Sequence, residues 1–410
     1  MNSRAGRTRV VATLGTAQTL AWASSYYLPA VLAAPMAAEL GLSASSVFAL
    51  FSLALLVSAA VGPAAGAAID RHGGRPVLMG TSGLFAAGLV TLALAQGLWG
   101  LAAGWLLMGV AMGAGLYEAA FATLVRLYGR DSRNVITGIT LIAGFASTVG
   151  WPLSGLMHAH WSWRGACVGW AVLHLVLGLG LNASLPRVAA LDGVEAPDRG
   201  DDEAPAATPA EPAAAPLAAS LLTPAEQRRA AWLLATVFAL AWFISTAMAA
   251  HLPGLLQSGG VSLPVAVAVG ALVGPAQVAG RLLEFGLLRR LHPLLSARLA
   301  ALAHPVGAGA LLLLGPPAAF VFALLHGAGN GILTIAKGTL PLALFGASAY
   351  GARQGLLMMP SRVAQAFAPW LFGLGLERWG MAMLYGSAAL GLLAFAALQA
   401  LPYRAPAATR

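Results

Sequence analysis

The stretch ASSVFALFSLALLVSAAVGPAAGAAIDRHGGR, residues 44–75, contains the pattern that decides the fold. Residues 44–67 are apolar or small and carry no charge, whereas residues 70–75 include an aspartate, two arginines and a histidine. A helix needs about 20 apolar residues to cross a bilayer, and a backbone in lipid must satisfy its own hydrogen bonds. The stretch therefore predicts a transmembrane helix that ends at a charged loop.

The same pattern recurs on both sides of this stretch. The 410-residue chain is 59% hydrophobic and only 9% charged, whereas soluble proteins carry about 25% charged residues. This composition excludes a soluble, disordered or nucleic-acid-binding protein as a description of the whole chain, although the formal net charge is +9. We predict twelve spans, near residues 10–34, 44–67, 77–96, 100–125, 135–157, 165–185, 229–254, 263–287, 296–314, 318–344, 354–376 and 382–401.

Basic residues predict the orientation of these spans. With the N-terminus in the cytoplasm, 18 of the 23 arginines and lysines fall in cytoplasmic segments, and only Arg164 and Arg378 fall in external loops. Cytoplasmic loops of membrane proteins carry such an excess, so we predict that both termini are cytoplasmic. The first apolar run follows three arginines, as in a signal peptide, but it continues to about Ala34 and is interpreted as a span.

Residues 187–228 differ from the rest of the chain because they contain eight of its fourteen acidic residues together with many alanines and prolines. This composition is typical of a disordered linker. It predicts an acidic cytoplasmic linker at 187–228, between a six-span N-terminal bundle at 1–186 and a six-span C-terminal bundle at 229–410.

The two halves resemble copies of each other. Shared features are Leu-Ala-Trp at 20–22 and 240–242, Leu-Pro at 28–29 and 252–253, Val-Gly-Pro-Ala at 61–64 and 273–276, and the pair Gly109 and Gly113, which lies 218 residues before Gly327 and Gly331. Duplicated six-helix halves around a central loop are typical of secondary transporters.

The segment GAAIDRHGGR at residues 66–75 resembles the loop between helices 2 and 3 of the major facilitator superfamily, Gly-x-x-x-Asp-Arg-x-Gly-Arg-Arg. It departs from that pattern at Gly74, where the family usually has a basic residue. The resemblance implies an all-α membrane protein with twelve transmembrane helices in two pseudo-symmetric six-helix bundles. It also implies gating roles for Asp70, Arg71 and Arg75; alternatively, the two arginines only set the topology.

Within the superfamily, three stretches resemble the monocarboxylate and oxalate/formate transporter branch: residues 36–43, Arg133 before the fifth span, and residues 274–281. In that branch an arginine in helix 8 binds the substrate carboxylate, and Arg281 matches it by position. Gln277 is a departure, because animal members have an aspartate there. The resemblance implies that Arg281 binds a carboxylate.

Five ionisable residues fall inside predicted spans: Glu118, Arg281, Glu284, Lys337 and Arg362. Each costs about 2.5–3.5 kcal/mol on insertion scales, so such residues usually face a cavity and mark function. We expect Arg281 and Lys337 to bind substrate, Glu118 and Glu284 to carry protons, and Arg362 to act at the inner gate. Alternatively, Arg281 pairs with Glu284 or snorkels, and Lys337 is a structural partner of Glu118.

Three uncharged residues are further candidates for substrate binding. Asn330 lies in a glycine-rich part of the tenth span, and Tyr26 and Tyr27 lie in the first. Helix packing is the alternative for Asn330. We expect His326 to lie near the outer interface.

These patterns predict a secondary active transporter that moves a small organic anion, expected to be a monocarboxylate, by alternating access coupled to protons. The excess of alanine, glycine and arginine over lysine indicates a bacterial inner membrane. The expected partners are the substrate, protons and the lipid bilayer, with no nucleic acid, for a monomer without cofactor or metal. The alternative is proton-coupled efflux of drugs or other toxic compounds, in which Glu118 matters most. An enzyme is not expected, because no nucleophile or metal cluster is present in the sequence.

Overall fold

A computed structural model of the chain describes residues 4–128, 132–186, 222–288, 292–345 and 350–401. These residues form helices and short turns, with no β-strand among them. The predicted linker lies outside the described residues as far as position 221, and so does the side chain of Arg133.

The N-terminal bundle contains six spans, several of which are interrupted. Its helices are α1 (Arg4–Ala23), α2 (Pro29–Leu40), α3 (Ala44–His72), α4 (Gly74–Leu94), α5 (Leu98–Gly115), α6 (Tyr117–Tyr128), α7 (Ser132–Ala143), α8 (Ala146–Leu173) and α9 (Leu179–Ala183). Spans 1 and 4 are the pairs α1/α2 and α5/α6. Span 5 is α7 with the first part of α8, and Ser162, at φ 65°, divides α8 from the part that begins span 6. A π-helical turn, His174–Gly178, joins α8 to α9.

The C-terminal bundle supplies the other six spans with fewer interruptions. Its helices are α10 (Pro224–Ser258), α11 (Leu263–Ala271), α12 (Val273–Gly286), α13 (Pro293–Leu314), α14 (Ala319–Phe345), α15 (Tyr350–Trp379) and α16 (Met383–Gln399). Span 8 is the pair α11/α12, and each of the other helices is one span.

The described part of the chain confirms the predicted fold class. Nine helical stretches in it are long and apolar enough to cross a membrane, and two of them, Val135–Ala183 and Leu356–Gln399, contain two passes each. The pair α1/α2 supplies one more pass, which gives twelve spans. The sequence predicted the positions of these spans but not their breaks, and spans 1, 4, 5 and 8 are each divided between two helices.

Successive spans are joined by turns on two sides of the molecule. We call the side where α1 begins the terminal side and the other side the opposite side. Gly41, Ser162 and Gly380 have positive φ and make tight turns on the opposite side. Ser43 then caps α3, because its hydroxyl accepts a hydrogen bond from the Ser46 amide at 3.1 Å.

Glycine contacts show that both bundles use the same internal packing. A Cβ on Gly109 or Gly113 would lie 2.6 Å from a backbone oxygen of span 2, and one on Gly327 or Gly331 would lie 2.7 or 2.3 Å from a backbone oxygen of span 8. Span 4 therefore packs on span 2 as span 10 packs on span 8, and only glycine allows helices to approach so closely.

The bundles meet mainly on the opposite side. There the backbone amide of Ser45 donates to Glu377 at 2.6 Å, and the amide of Trp370 donates to the Ser52 hydroxyl at 3.2 Å. Phe48 of α3 lies against the ring of His251 of α10, with centroids 3.8 Å apart. These contacts close the central space on the opposite side.

Candidate functional site

A break in the first span places two tyrosines at the centre of the molecule. α1 ends at Ala23 and α2 begins at Pro29, so the five residues between them, 24–28, are not α-helical. The carbonyl of Tyr27 is satisfied by the indole Nε1 of Trp151, which donates to it at 3.0 Å. This bond compensates for part of the lost helical hydrogen bonding, as a buried carbonyl requires.

The two tyrosines line a small cavity between the bundles. It has a volume of about 30 Å³ and is lined by Tyr26, Tyr27, Trp151, Ser245, Met248, Ala249, Leu252, Val273, Gln277, His326 and Asn330. The predicted candidates Tyr26, Tyr27 and Asn330 are therefore brought together. A cavity of this size with several polar groups can hold about two water molecules.

Tyr26 also joins the two bundles at the level of this cavity. Its hydroxyl donates to Thr246 of α10 at 2.7 Å and accepts from the amide of Gln365 of α15 at 3.3 Å. The phenol is thus shared by spans 1, 7 and 11.

Aromatic rings continue from the cavity toward the terminal side. Trp22 lies 5.0 Å from Tyr26 and 4.8 Å from Tyr117 between ring centroids, and Tyr117 stacks on Phe121 at 5.2 Å. Such pairs prefer tilted or offset geometries, as found here. They give the N-terminal bundle an aromatic wall beside Glu118.

Arg281 lies between the bundles with part of its guanidinium unpaired. Its Nη1 donates to the carbonyl of Thr140 of α7 at 3.0 Å, and its Nε is buried without a partner. The side chains of Tyr27 and Tyr117 are both close enough to interact electrostatically with its guanidinium. The alternative of an ion pair between Arg281 and Glu284 is wrong, because these two described residues make none.

Lys337 lies at the centre of a charged group formed by three spans. Its ammonium is 5.0 Å from the centroid of the Trp242 ring, a cation–π contact between spans 10 and 7. Glu118 of span 4 attracts it and Arg362 of span 11 repels it electrostatically. Both Glu118 and Arg362 are exposed. We call Glu118, Lys337 and Arg362 the charged rim.

Glu284 occupies a different place from the other predicted charges. It is buried, and its carboxylate lies toward Ser296 of α13. The structure therefore does not bring Glu284 together with Arg281 and the charged rim.

The predicted gating loop lies at the terminal side, where α3 ends and α4 begins. Asp70 and Arg71 are exposed in the last turn of α3, and Arg75 is half-buried in the first turn of α4. The departure at Gly74 has a steric reason, because a Cβ there would lie 2.0 Å from the Thr123 hydroxyl of span 4.

Two polar features near the cavity were missed by the sequence analysis. The first is Gln18, whose Nε2 donates to the carbonyl of Gly115 at 2.8 Å, where span 4 breaks. The second is the pair His304 and His326, whose Nδ1 atoms lie 3.0 Å apart. The expectation that His326 lies near the outer interface was wrong, because it is 4% exposed and lines the cavity. No sequence motif marks either feature, because each joins residues of different spans.

Comparisons with known proteins agree with this architecture. The family model described as Major Facilitator Superfamily matches residues 14–322. No curated protein sequence matches the chain significantly.

Solved structures of transporters share the fold. The nucleoside transporter NupG superposes with a TM-score of 0.74 at 14% identity, over 97% of this chain and 100% of that chain. A D-xylose–proton symporter gives 0.67 at 15% identity, over 98% of both chains. A bacterial homologue of the human lysosomal transporter Spinster, in an inward-facing and unoccupied conformation, gives 0.65 at 18% identity, over 97% and 95%. At these identities the similarity shows the fold alone.

Proposed function

The chain belongs to the major facilitator superfamily and is a secondary transporter, and we propose that its substrate is a small organic anion, a monocarboxylate, carried together with protons. The membrane is the inner membrane of a bacterium, with both chain termini in the cytoplasm. In that orientation the contacts between the bundles on the opposite side close the central space toward the outside.

The observation that carries the anion proposal is the guanidinium of Arg281. One nitrogen is anchored to Thr140, while the buried Nε has no protein partner. A buried donor without a partner costs about 1–3 kcal/mol. A carboxylate oxygen in the central space satisfies this donor, and a charge-assisted bond of this kind is stronger than a neutral one.

The surrounding charges support the same sign of substrate. Arg281, Lys337 and Arg362 contribute three positive charges near the central space, against the single carboxylate of Glu118. Glu284 does not reduce this excess, because it lies toward α13. A region of predominantly positive charge attracts anions and raises their local concentration.

The tyrosines set the size and shape of the substrate. The apolar edges of Tyr26, Tyr27 and Trp151 surround the small cavity next to Gln277 and Asn330. Such a cavity takes the small polar or apolar end of a compact molecule whose charged end lies outside it, at the guanidinium described above. Lactate and pyruvate have this form.

Uptake into proteoliposomes tests the proposal. The full chain is reconstituted, and uptake of labelled lactate, pyruvate and oxalate is measured with and without an inward proton gradient. We expect gradient-stimulated uptake of at least one of them, and a decrease of at least tenfold for Arg281→Gln. Arg281→Lys should remain defective, because a lysine cannot reproduce the planar donors of arginine.

The matched control is Arg228→Gln, which removes an exposed arginine from the first turns of α10. It should keep wild-type uptake, and all variants should have the wild-type melting temperature. Absence of uptake for all three anions, or uptake that is unchanged in Arg281→Gln, would contradict the proposal.

Proton-coupled efflux of aromatic cations is the second candidate function. The observation that favours it is the aromatic wall of Trp22, Tyr117 and Phe121 beside the exposed Glu118. It predicts gradient-driven movement of tetraphenylphosphonium that Glu118→Gln abolishes and Arg281→Gln does not.

A further inference from the structure

Three helices of the C-terminal bundle bring a row of polar side chains into its interior. His326 of α14 contacts His304 of α13 through their Nδ1 atoms at 3.0 Å, and the Nε2 of His304 lies 3.1 Å from the hydroxyl of Ser387 of α16. That hydroxyl donates to the carbonyl of Leu384 at 3.1 Å. The three side chains are 4%, 7% and 1% exposed, so the row is buried.

The end of the row fixes its hydrogens. Because the Ser387 hydroxyl donates to Leu384, it accepts from the Nε2–H of His304. Neutral His304 then has a bare Nδ1, which accepts from the Nδ1–H of His326. Neutral His326 is left with a lone pair on Nε2, and no protein group in the described structure bonds to that atom.

The ring of His326 borders the centre of the molecule. His326 and Asn330 line the cavity between the bundles, and both also line a second cavity of about 30 Å³ inside the C-terminal bundle. His326 therefore stands between the substrate region and His304. Water in the central cavity can deliver a proton to Nε2, and no bond in the protein has to break.

The groups that face the pair are mostly neutral. Span 7 contributes Ser245, span 8 contributes Gln277, span 12 contributes Ser387, and span 1 contributes the phenols of Tyr26 and Tyr27. No carboxylate is among the residues that line either cavity.

The fixed positive charges lie farther toward the terminal side. Arg281 is four residues beyond Gln277, and Lys337 is eleven residues beyond His326, which is about 16 Å along a helix. An added proton is thus held chiefly by His304 as acceptor, and a second proton is opposed by the first.

We propose that His326, supported by His304 and Ser387, is a proton-binding site that takes one proton from the central cavity. The inference rests on the proposed proton coupling, for which it supplies the place where the proton binds. It assigns the coupling proton to span 10 beside Asn330, instead of to Glu118 on the charged rim.

Two other buried histidines show what a purely structural imidazole looks like in this chain. The Nε2 of His174 is 2.7 Å from the Ser24 hydroxyl, and its ring stacks on Phe85. His251 has its Nε2 2.7 Å from the carbonyl of Pro369. Neither lines the two cavities, so His174→Gln is a matched control.

The test is the protonation state of the imidazoles in the full chain, without any substrate. The protein is labelled with ¹⁵N in its histidine rings and reconstituted in liposomes, and solid-state NMR spectra are recorded at pH 8 and pH 5. We expect an imidazolium signal at pH 5 that is absent from His326→Gln and retained in His174→Gln. His304→Gln keeps the ring of His326 but removes its acceptor, so the signal should weaken in that variant.

The proposal is overturned if wild-type protein shows no imidazolium signal beyond those of the exposed histidines, or if the signal remains in His326→Gln. If His326→Gln lowers the melting temperature, the test uses His304→Gln in its place. An imidazolium signal in His304→Gln as strong as in wild type would then overturn the proposal. Because the spectra need no transported anion, they stand even if lactate, pyruvate and oxalate are all refused.

A transport measurement then connects the site to coupling. If labelled lactate is transported, His326→Gln should abolish its stimulation by a proton gradient but keep lactate–lactate exchange across the membrane. Equal loss of both activities would show that His326 supports the fold or the substrate site, and would overturn the coupling role.

Discussion

The two bundles use the same helix packing but differ where they face the centre. Gly109 and Gly113 bring span 4 onto span 2, and Gly327 and Gly331 bring span 10 onto span 8 at nearly the same approach distances. Both halves also carry Leu-Ala-Trp and Leu-Pro in their first span. Yet the first span breaks between Ala23 and Pro29, whereas α10 continues unbroken from Pro224 to Ser258.

This difference follows from the neighbours of the two helices. In the broken segment the carbonyl of Tyr27 accepts from Trp151, and the Ser24 hydroxyl lies 2.7 Å from His174. Trp151 belongs to α8, and His174 belongs to the π-helical turn that follows it. The duplicated sequence thus sets where helices touch, while the central chemistry depends on side chains that the halves do not share.

The largest expected effect is the loss of the shared packing. Gly331→Ala would place a Cβ 2.3 Å from the carbonyl oxygen of Gln277, and Gly113→Ala would place one 2.6 Å from that of Ser58. Overpacking against backbone costs about 1–3 kcal/mol, more than the gain of up to about 1 kcal/mol in helix propensity. Both variants should melt several degrees below wild type.

Gly155→Ala is the control for this comparison, because nothing lies within 4 Å of the Cβ it would add. It should melt at or above the wild-type temperature. If Gly331→Ala were as stable as this control, the close contact of spans 8 and 10 would be refuted.

The shared packing could be predicted from the sequence, and the site could be predicted only in part. Repeated Gly-x-x-x-Gly spacing in apolar runs identifies close helix contacts, and scarce charges such as Arg281 and Lys337 identify the centre. Gln18 and His304 gave no such signal. The role of Gln18 depends on the carbonyl of Gly115, 97 residues away, and that of His304 depends on the imidazole of His326, 22 residues away in another span.

The second expected effect concerns the charges that distinguish the copies. Glu118 and Lys337 occupy nearly equivalent positions in spans 4 and 10, and Glu118 attracts the ammonium of Lys337. Glu118→Gln or Lys337→Gln alone should each lower gradient-driven uptake. If the pair acts mainly through this attraction, Glu118→Lys combined with Lys337→Glu should recover about tenfold over Glu118→Lys alone, a coupling of about 1.4 kcal/mol.

Uptake of the labelled anion that wild type accepts is the measurement for this charge exchange. Glu118→Lys combined with Arg228→Glu is the control, since Arg228 is exposed in the first turns of α10 and far from the charged rim in the chain. If the exchange of Glu118 and Lys337 recovers no more uptake than this control does, each charge acts independently.

A third, smaller effect tests the break in span 1, which the corresponding span 7 lacks. Tyr26→Phe removes the hydroxyl that donates to Thr246 and accepts from Gln365. The loss of about 1 kcal/mol should shift the conformational equilibrium about fivefold toward opening on the opposite side. Labelling of Ala249→Cys by an impermeant maleimide, with Cys167 replaced by serine, should rise accordingly.

Tyr385→Phe, which changes an exposed tyrosine of α16, should leave this labelling unchanged. Equal labelling in Tyr26→Phe and wild type would mean that the break in span 1 is not a hinge between the bundles.

The smallest expected effect compares two carboxylates of the opposite side. Glu377 joins the bundles through the amide of Ser45, whereas Glu39 acts within one bundle, where it accepts from Arg164 at 2.8 Å and from Trp163 at 2.5 Å. The hydrogen bond from Arg164 lowers the pKa of Glu39, so its contribution to stability is present at neutral pH. Glu39→Gln should therefore lower the melting temperature slightly at pH 7 without altering access to the cavity.

The pH dependence of this difference has a definite sign. The folded protein depresses the pKa of Glu39. The stabilisation by its carboxylate is therefore fully present at pH values above the ordinary pKa of glutamate, and it is lost as the pH falls through the lowered pKa of the folded state. The melting temperatures of wild type and Glu39→Gln should thus converge in acid. Glu377→Gln should instead raise Ala249→Cys labelling at pH 7, because its carboxylate bridges the bundles. Equal labelling in the two variants would place both carboxylates in the same structural role and remove the distinction between them.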